Sequence, residues 1–351
     1  MSSRQIIKIA GLRVAKSLGL FALARRATAD CARILCYHGT WRAGGPFEGD
    51  AMFIRPSTFA RRLELLKELG YCVVSLDEIA DDHAQHKPRS GPLVAITIDD
   101  GWHGTYADML PHLKRMKMPA TLYCDTANLE MGAPMAHVMA DYICRLANRS
   151  GDEEELTADW HAAKDLSQPM SARLAAVRRL AQRLGLDIEP LLASQTFNYM
   201  SPGHLADAAA QGLDVQLHTH NHTLHDMSAE AIAHEVELNR DSLARHLTCP
   251  PERFRHFCYP SGRVKPEAAK RLADLGLRTS TTLECRIASR SDHPHLLPRL
   301  IDGDNISEIE FEAELSGFMS LLWRVLRRTR DGGAEVYVGD SAGLLAAPAT
   351  R

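Results

Sequence analysis

At 351 residues, 45% hydrophobic and 24% charged, the chain can bury a large core as one enlarged domain or two. Its formal net charge of −3 excludes a global attraction to nucleic acid, and no segment is long and apolar enough to span a bilayer. Eight cysteines (Cys31, Cys36, Cys72, Cys124, Cys144, Cys249, Cys258 and Cys285) are scattered with no Cys-x-x-Cys spacing, which argues against thiolate zinc and predicts a reducing, cytoplasmic setting.

Residues 1–30 read as a basic amphipathic helix. Arg4, Lys8, Arg13, Lys16, Arg25 and Arg26 precede the first acid, Asp30, and alternate with Ile6, Ile7, Ile9, Leu12, Val14, Leu18 and Leu20. Arg13 and Lys16 interrupt the apolar run that a signal peptide needs. Peripheral contact with anionic lipid at the inner membrane face is therefore one expectation, and a docked surface helix is the other. Arg33–His38 reads as a first strand, Pro56–Leu69 after Asp50–Arg55 as a helix, and Tyr71–Leu76 as a second strand, with a short helix from Asp77. Leu93–Ile98 is apolar and β-branched, as a buried parallel strand is. Tyr106–Met116 is helix-like, and Ala120–Cys124 is another strand. This alternation predicts a parallel sheet or barrel beginning over residues 31–126.

Residues 127–200 break the alternation. Met135–Asn148 and Ser171–Leu184 have helical periodicity around the acidic stretch Gly151–Glu155, so an all-helical insertion is expected there. The barrel resumes over residues 201–305, with a strand at Val215–Leu217, helices at Ala229–Leu247 and Lys265–Leu275, and a late strand at Leu277–Thr282. Residues 306–351 hold a helix, Phe311–Leu326, and a tail expected to be flexible after Asp340. Arg324, Arg327, Arg328 and Arg330 near that helix end complement its dipole.

Two clusters carry chemistry. Asp99 and Asp100, followed by Gly101, close the strand Leu93–Ile98 at its C-terminal edge, where α/β folds place reactive groups. His218 and His222 leave a second strand end, four residues apart, so one helical turn would put both imidazoles on one face. Two histidines and a carboxylate suit a catalytic divalent metal, with the second carboxylate left as a base. His220 and His225 crowd the same stretch.

Asp99-Asp100-Gly101 with Pro119-Ala120-Thr121-Leu122-Tyr123 resembles the first motif of the polysaccharide deacetylases, carbohydrate esterase family four. His218–His222 is similar to that family's second motif, and Phe257-Cys258-Tyr259-Pro260-Ser261-Gly262 to its third. The resemblance spans about Ile34 to Asp302. It implies a distorted, incomplete (β/α) barrel of parallel strands. It also implies that Asp100, His218 and His222 bind the metal (Zn2+, or Co2+ or Ni2+), that Asp99 is the general base, and that the backbone at Ser261 donates to the oxyanion.

Two departures follow. The third-motif arginine that orients the base is replaced by Cys258, and Arg299 in Leu297-Pro298-Arg299-Leu300 is the candidate substitute, since a guanidinium can hold a carboxylate by two hydrogen bonds; a surface arginine after a loop is the other expectation. The late Leu-x-His motif that supplies the acid is missing. Ile34-Leu35-Cys36-Tyr37-His38 resembles instead the poly-N-acetylglucosamine type, in which motif order is permuted, so His38 is the expected acid, with His293 and His295 as weaker candidates. Trp102 and Tyr259, and with them Tyr37, are expected either to contact a sugar ring or to pack in the core.

The implied reaction is hydrolysis of an N-acetyl group from an amino sugar in a polysaccharide or lipid-linked precursor. Deformylation of a lipid-linked N-formyl amino sugar, O-deacetylation, and a catalytically silent sugar-binding scaffold are the alternatives. The sugar, the acyl group, the metal and the oligomeric state stay open.

Overall fold

Strands of apolar and β-branched residues flanked on both faces bury both sets of side chains, and Leu93–Asp100 and Asp214–Leu217 do so along nearly their whole length. The computed structural model describes residues 3–43, 52–85, 91–151, 153–224, 227–262, 264 and 266–328. His225, Asp50, Asp152 and Arg330 of the sequence expectations, with the tail after Asp340, lie outside them.

The strands are β1 (Arg33–Tyr37), β2 (Gly39–Thr40), β3 (Phe53–Ile54), β4 (Cys72–Val73), β5 (Leu93–Asp100), β6 (Thr121–Cys124), β7 (Asp214–Leu217), β8 (His256–Cys258), β9 (Thr279–Cys285) and β10 (Leu297–Ile301). Seven close a parallel ring in the order β1-β10-β9-β8-β7-β6-β5, sealed by β5 against β1 with Leu35 opposite Ile96. β4 pairs with the start of β5, and β2 with β3 apart from the ring. The architecture is a seven-stranded (β/α) barrel.

Alternation along each strand separates two cores. Ile34, Ala95, Tyr123, Cys258 and Leu297 pack inside the ring. Leu35, Ile96, Ile98, Leu122, Val215 and Phe257 face outward under helices that include Pro56–Glu68 and Ala229–Leu247. The insertion has its own core, in which Met139, Ile143, Val177 and Leu180 join Trp41, Phe53 and Trp102. Its helices are Thr126–Met131, Ala136–Leu146, Thr157–Lys164, Met170–Arg183 and Glu189–Ala193.

Several elements depart from the sequence expectation for identifiable reasons. The N-terminal segment is two helices, Ser3–Ser17 and Leu20–Ala27, broken at Gly19 with φ 76°. The C-terminal helix likewise divides into Glu308–Leu315 and Phe318–Arg328 at Gly317, whose φ is 79° and where an added Cβ would lie 2.6 Å from Thr28 Oγ1. Pro111 lacks an N–H, and the turn before it, Thr105–Met109, widens to a π-helix that precedes the α-helix Leu110–Met116. The second expected strand shrinks to β4 because the following helix already starts at Leu76.

A buried polar knot ties β10 to the helical layer. Arg62 Nε donates to Asp302 Oδ2 at 2.9 Å, and Tyr37 Oη donates to the same oxygen at 3.0 Å. The Arg62 and Asp302 side chains are each about 2% exposed, so removing one partner strands a desolvated charge. Arg62→Met is expected to lower the unfolding free energy by about 3–5 kcal/mol in denaturant titration, with partial recovery when Asp302→Asn is added. A loss below about 1 kcal/mol would show that the pair is solvated.

Candidate active site

The reactive residues gather at the C-terminal ends of β1, β5, β7 and β8, with Arg299 reaching them from within β10. Strand alternation turns Asp99 into the barrel. Asp100, the last residue of β5, has φ 75°, a left-handed conformation that aspartate tolerates better than most residues. That twist swings its carboxylate toward the loop after β7.

His218 and His222 meet Asp100, but not through a helical turn. Residues 218–224 are irregular, with Thr219 and His222 at φ 64° and 52°, so local left-handed turns do what the i,i+4 spacing suggested a helix would do. His218 Nε2 lies 3.3 Å and His222 Nε2 3.2 Å from Asp100 Oδ1. The three donors lie within 4.8 Å of one another. His218 Nδ1 lies 2.8 Å from the Cys258 carbonyl, which can only accept, so Nδ1–H donates to it and the Nε2 lone pair is left free to bind a metal. His220 is turned aside, its Nδ1 2.8 Å from Thr126 Oγ1.

Burial opposes ionisation of Asp100, yet hydrogen bonds to His218 and His222 hold it well below the usual carboxylate range. His222 is pushed down by burial and up more strongly by Asp100, reaching about 9. Both shifts describe a negative centre that already draws positive charge. Donor separations of 3.2 and 3.3 Å match the spacing of about 3.3 Å between neighbouring ligands of a tetrahedral ion with bonds of about 2.0 Å. The donor set therefore fits a divalent transition metal.

Asp99 is held differently. Arg299 Nη1 and Nη2 donate to its two oxygens at 2.7 Å each, while Nε donates to the Thr282 carbonyl at 3.0 Å. Burial would raise the Asp99 pKa, but the guanidinium outweighs it and keeps the group lowered. Arg299 Nη2 also lies 3.1 Å from Cys258 Sγ. The small thiol leaves room beside Asp99, and the guanidinium enters that room from another strand. His38 Nε2 is 3.8 Å from Asp99 Oδ2 and the ring is 17% exposed, so it reaches both the carboxylate and solvent.

Other expected contributors fall elsewhere. His293 and His295 precede β10 and so lie at the opposite end of the barrel. Burial lowers His295 to about 4, and its Nδ1 is 2.9 Å from Ser280 Oγ. Tyr259 is 1% exposed and donates to the His295 carbonyl, and Tyr37 is 1% exposed and bound to Asp302, so neither ring offers a face to a sugar. Trp102 is 2% exposed and donates from Nε1 to Asp100 Oδ2 at 2.7 Å; it steadies the Asp100 carboxylate. Ser261 is exposed on the turn after β8 with φ 56°.

Sequence reasoning missed the supports of the histidine loop. Glu235 accepts from the Asn221 backbone N–H at 2.8 Å and from Asn221 Nδ2 at 2.6 Å. Asn239 accepts from His218 N at 2.9 Å and donates to the Cys124 carbonyl at 3.0 Å. Both are polar residues facing inward from the helix Ala229–Leu247, and that inward polarity was the one available signal. Asp125, which caps the helix Thr126–Met131 by accepting from Asn128 N, is raised to about 6 by burial.

Comparison with known proteins places this arrangement. Residues 86–280 match the family model described as polysaccharide deacetylase. The poly-beta-1,6-N-acetyl-D-glucosamine N-deacetylases of Escherichia coli K12 and O157:H7 are each 26% identical over 271 residues, 75% of this chain. The chain spans only 36% of the length of those curated relatives. Among solved structures, the Streptococcus pyogenes deacetylase PplD in complex with acetate superposes with a TM-score of 0.58 at 19% identity, covering 82% of this chain and 99% of that one. IcaB from Ammonifex degensii gives 0.55 at 21%, covering 82% and 97%. These two likenesses concern the fold, whereas the family model covers more than half of the sequence, and on that ground the chain belongs to the polysaccharide deacetylase family.

Proposed function

We propose that the chain is a metal-dependent N-deacetylase that removes acetate from an N-acetylated amino sugar within a polysaccharide. The observation that carries this reading is the pairing of an Asp100–His218–His222 donor set with a second carboxylate, Asp99, kept ionised by Arg299. The similarity to enzymes named for poly-N-acetylglucosamine deacetylation supports the substrate class. Zinc is the metal we favour, on the two-imidazole, one-carboxylate donor set.

Asp100, His218 and His222 would hold the ion, which when bound acts as a Lewis acid and lowers the pKa of coordinated water. Asp99 takes the proton from the attacking water, and Arg299 keeps that carboxylate oriented and unprotonated beforehand. The backbone N–H of Ser261 serves the developing oxyanion. His38 carries the proton to the departing amine, a transfer its partial exposure and proximity to Asp99 both favour.

The test is acetate and formate release from N-acylated amino-sugar oligomers by metal-stripped protein, with and without added zinc. Acetate release restored by zinc is the expected result; no release with metal bound would favour a sugar-binding scaffold. Asp99→Asn should lower kcat by roughly 10²–10⁴-fold with metal content unchanged, and intact turnover would remove the base assignment. Arg299→Met should raise the Asp99 pKa, moving the acidic limb of the pH–rate profile to higher pH, while Arg299→Lys recovers part of the shift.

Metal binding should also depend on pH in a set direction. His222 must lose the proton that Asp100 holds on it up to about pH 9. Between about pH 6.5 and 9, apparent zinc affinity is therefore expected to rise up to about tenfold per pH unit, measured by competition with a chelator. In metal-free protein the raised pKa stabilises the fold fully below the ordinary histidine value of 6.5, and this contribution is lost as pH rises through about 9. A flat affinity across this window would mean that His222 is not a ligand.

A further inference from the structure

Three helices pack their inner faces together beside the barrel: Ser3–Ser17, Leu20–Ala27 and Phe318–Arg328. Leu12, Ala15, Phe21 and Met319 form the shared core with Ala313, and the Phe21 and Phe318 rings stand 5.3 Å apart. With those inner positions filled, the outer faces should be polar. They are not. Of the thirteen large hydrophobic side chains exposed among the described residues, ten belong to residues 6–23 and 322–326.

On Ser3–Ser17 the outward residues Ile7 and Val14 lie across the helix from the buried Ile9 and Leu12, so this helix is apolar on two faces. Ile7 is 71% exposed, Leu23 63% and Trp323 51%. Within these three helices the charge has one sign, although Glu308 and Glu312 border Ile6 and Arg13 from the neighbouring helix Glu308–Leu315. The three helices contain nine Lys and Arg and no Asp or Glu, in a chain whose formal charge is −3. Lys8 and Lys16 turn inward to Glu310 and Glu312, but Arg4, Arg13, Arg26 and Arg324 are exposed next to the apolar residues. No helix among the described residues is long and apolar enough to cross a membrane.

We propose that this three-helix face is a docking surface for a bilayer containing anionic lipid, lying on the membrane with its aliphatic residues and Trp323 at the acyl boundary and its arginines at the headgroups. Exposed apolar residues on helices whose own charges are all basic are the composition that such a boundary requires. A second copy of the chain would bring the same positive charge against itself, which disfavours that occupant.

The experiment is flotation of the full chain with vesicles of phosphatidylcholine alone and of equal parts phosphatidylcholine and phosphatidylglycerol, combined with tryptophan fluorescence. Trp41 and Trp102 are buried, and Trp160 is half-buried in the insertion with its Nε1 on Asp141, so a blue shift that is lost in Trp323→Phe would come from Trp323. Flotation only with the anionic vesicles is expected, and Arg13→Glu with Arg26→Glu should reduce it roughly tenfold without changing the melting temperature. Ile7→Glu, on a solvent-facing position, should weaken flotation on its own. Absence of flotation, or flotation indifferent to both charge reversals, would overturn the proposal. A dimer in light scattering that Ile7→Glu dissociates, with no vesicle capture, would assign the face to a second copy instead.

Discussion

The site depends on keeping two adjacent carboxylates ionised inside a protein. Neither can be solvated: Asp99 is 2% and Asp100 4% exposed, and an uncompensated buried charge would be neutralised by proton uptake. The chain meets this constraint with two separate solutions a residue apart. Asp99 points into the barrel and takes a guanidinium, two hydrogen bonds to two oxygens. Asp100 turns out through a left-handed backbone and takes two imidazoles, groups whose proton a metal can replace. The carboxylate with a permanent cation cannot readily exchange it, while the one with titratable partners can. This asymmetry, rather than the sequence Asp-Asp itself, is what suits Asp99 to the proposed role of base and Asp100 to that of ligand.

The helical insertion belongs to this arrangement instead of hanging over it. Met200 N donates to the Gly101 carbonyl and His103 N to the Asn198 carbonyl, both at 2.8 Å. Trp102 and Tyr199 pair as an isolated bridge with rings 4.8 Å apart. The returning end of the insertion therefore splints the turn that follows Asp100. Trp102 is the shared element, with one edge in the insertion's apolar core and its N–H on the Asp100 carboxylate. On the other side, Glu235 and Asn239 splint the histidine loop from the helix Ala229–Leu247. The donors are consequently placed by rigid elements although every one of them stands at a strand end or in a loop.

Much of this was legible because period and punctuation are local. The strand Leu93–Ile98, the helix Ala229–Leu247, the Asp99-Asp100 pair and the His218/His222 spacing all show in short windows of sequence, whereas the joining of Asp100 to the two histidines was implied only by the family resemblance. Long-range facts did not show. The span Leu297–Ile301 reads as a loop around Pro298, yet it is a ring strand because β1 and β9 stand ready to pair with it. The two terminal helices break at Gly19 and Gly317, where single glycines within apolar runs are weak signals taken alone. Trp102 and Tyr259 could equally face a sugar or pack in the core on their sequence, and only packing shows that their rings are enclosed.

The exchange of Cys258 for an arginine supplied by β10 has a wider consequence. Read along the chain, the third motif is damaged, and an inventory of motif letters would grade this chain as defective. Read in space, positive charge meets Asp99 at bidentate distance, carried by a different strand, while the thiol has become the gap it fills. Activity in such chains is better diagnosed by asking which cation faces the carboxylate than by asking which letter follows a phenylalanine. Degenerate-looking relatives deserve the same three-dimensional audit before they are set aside as inert.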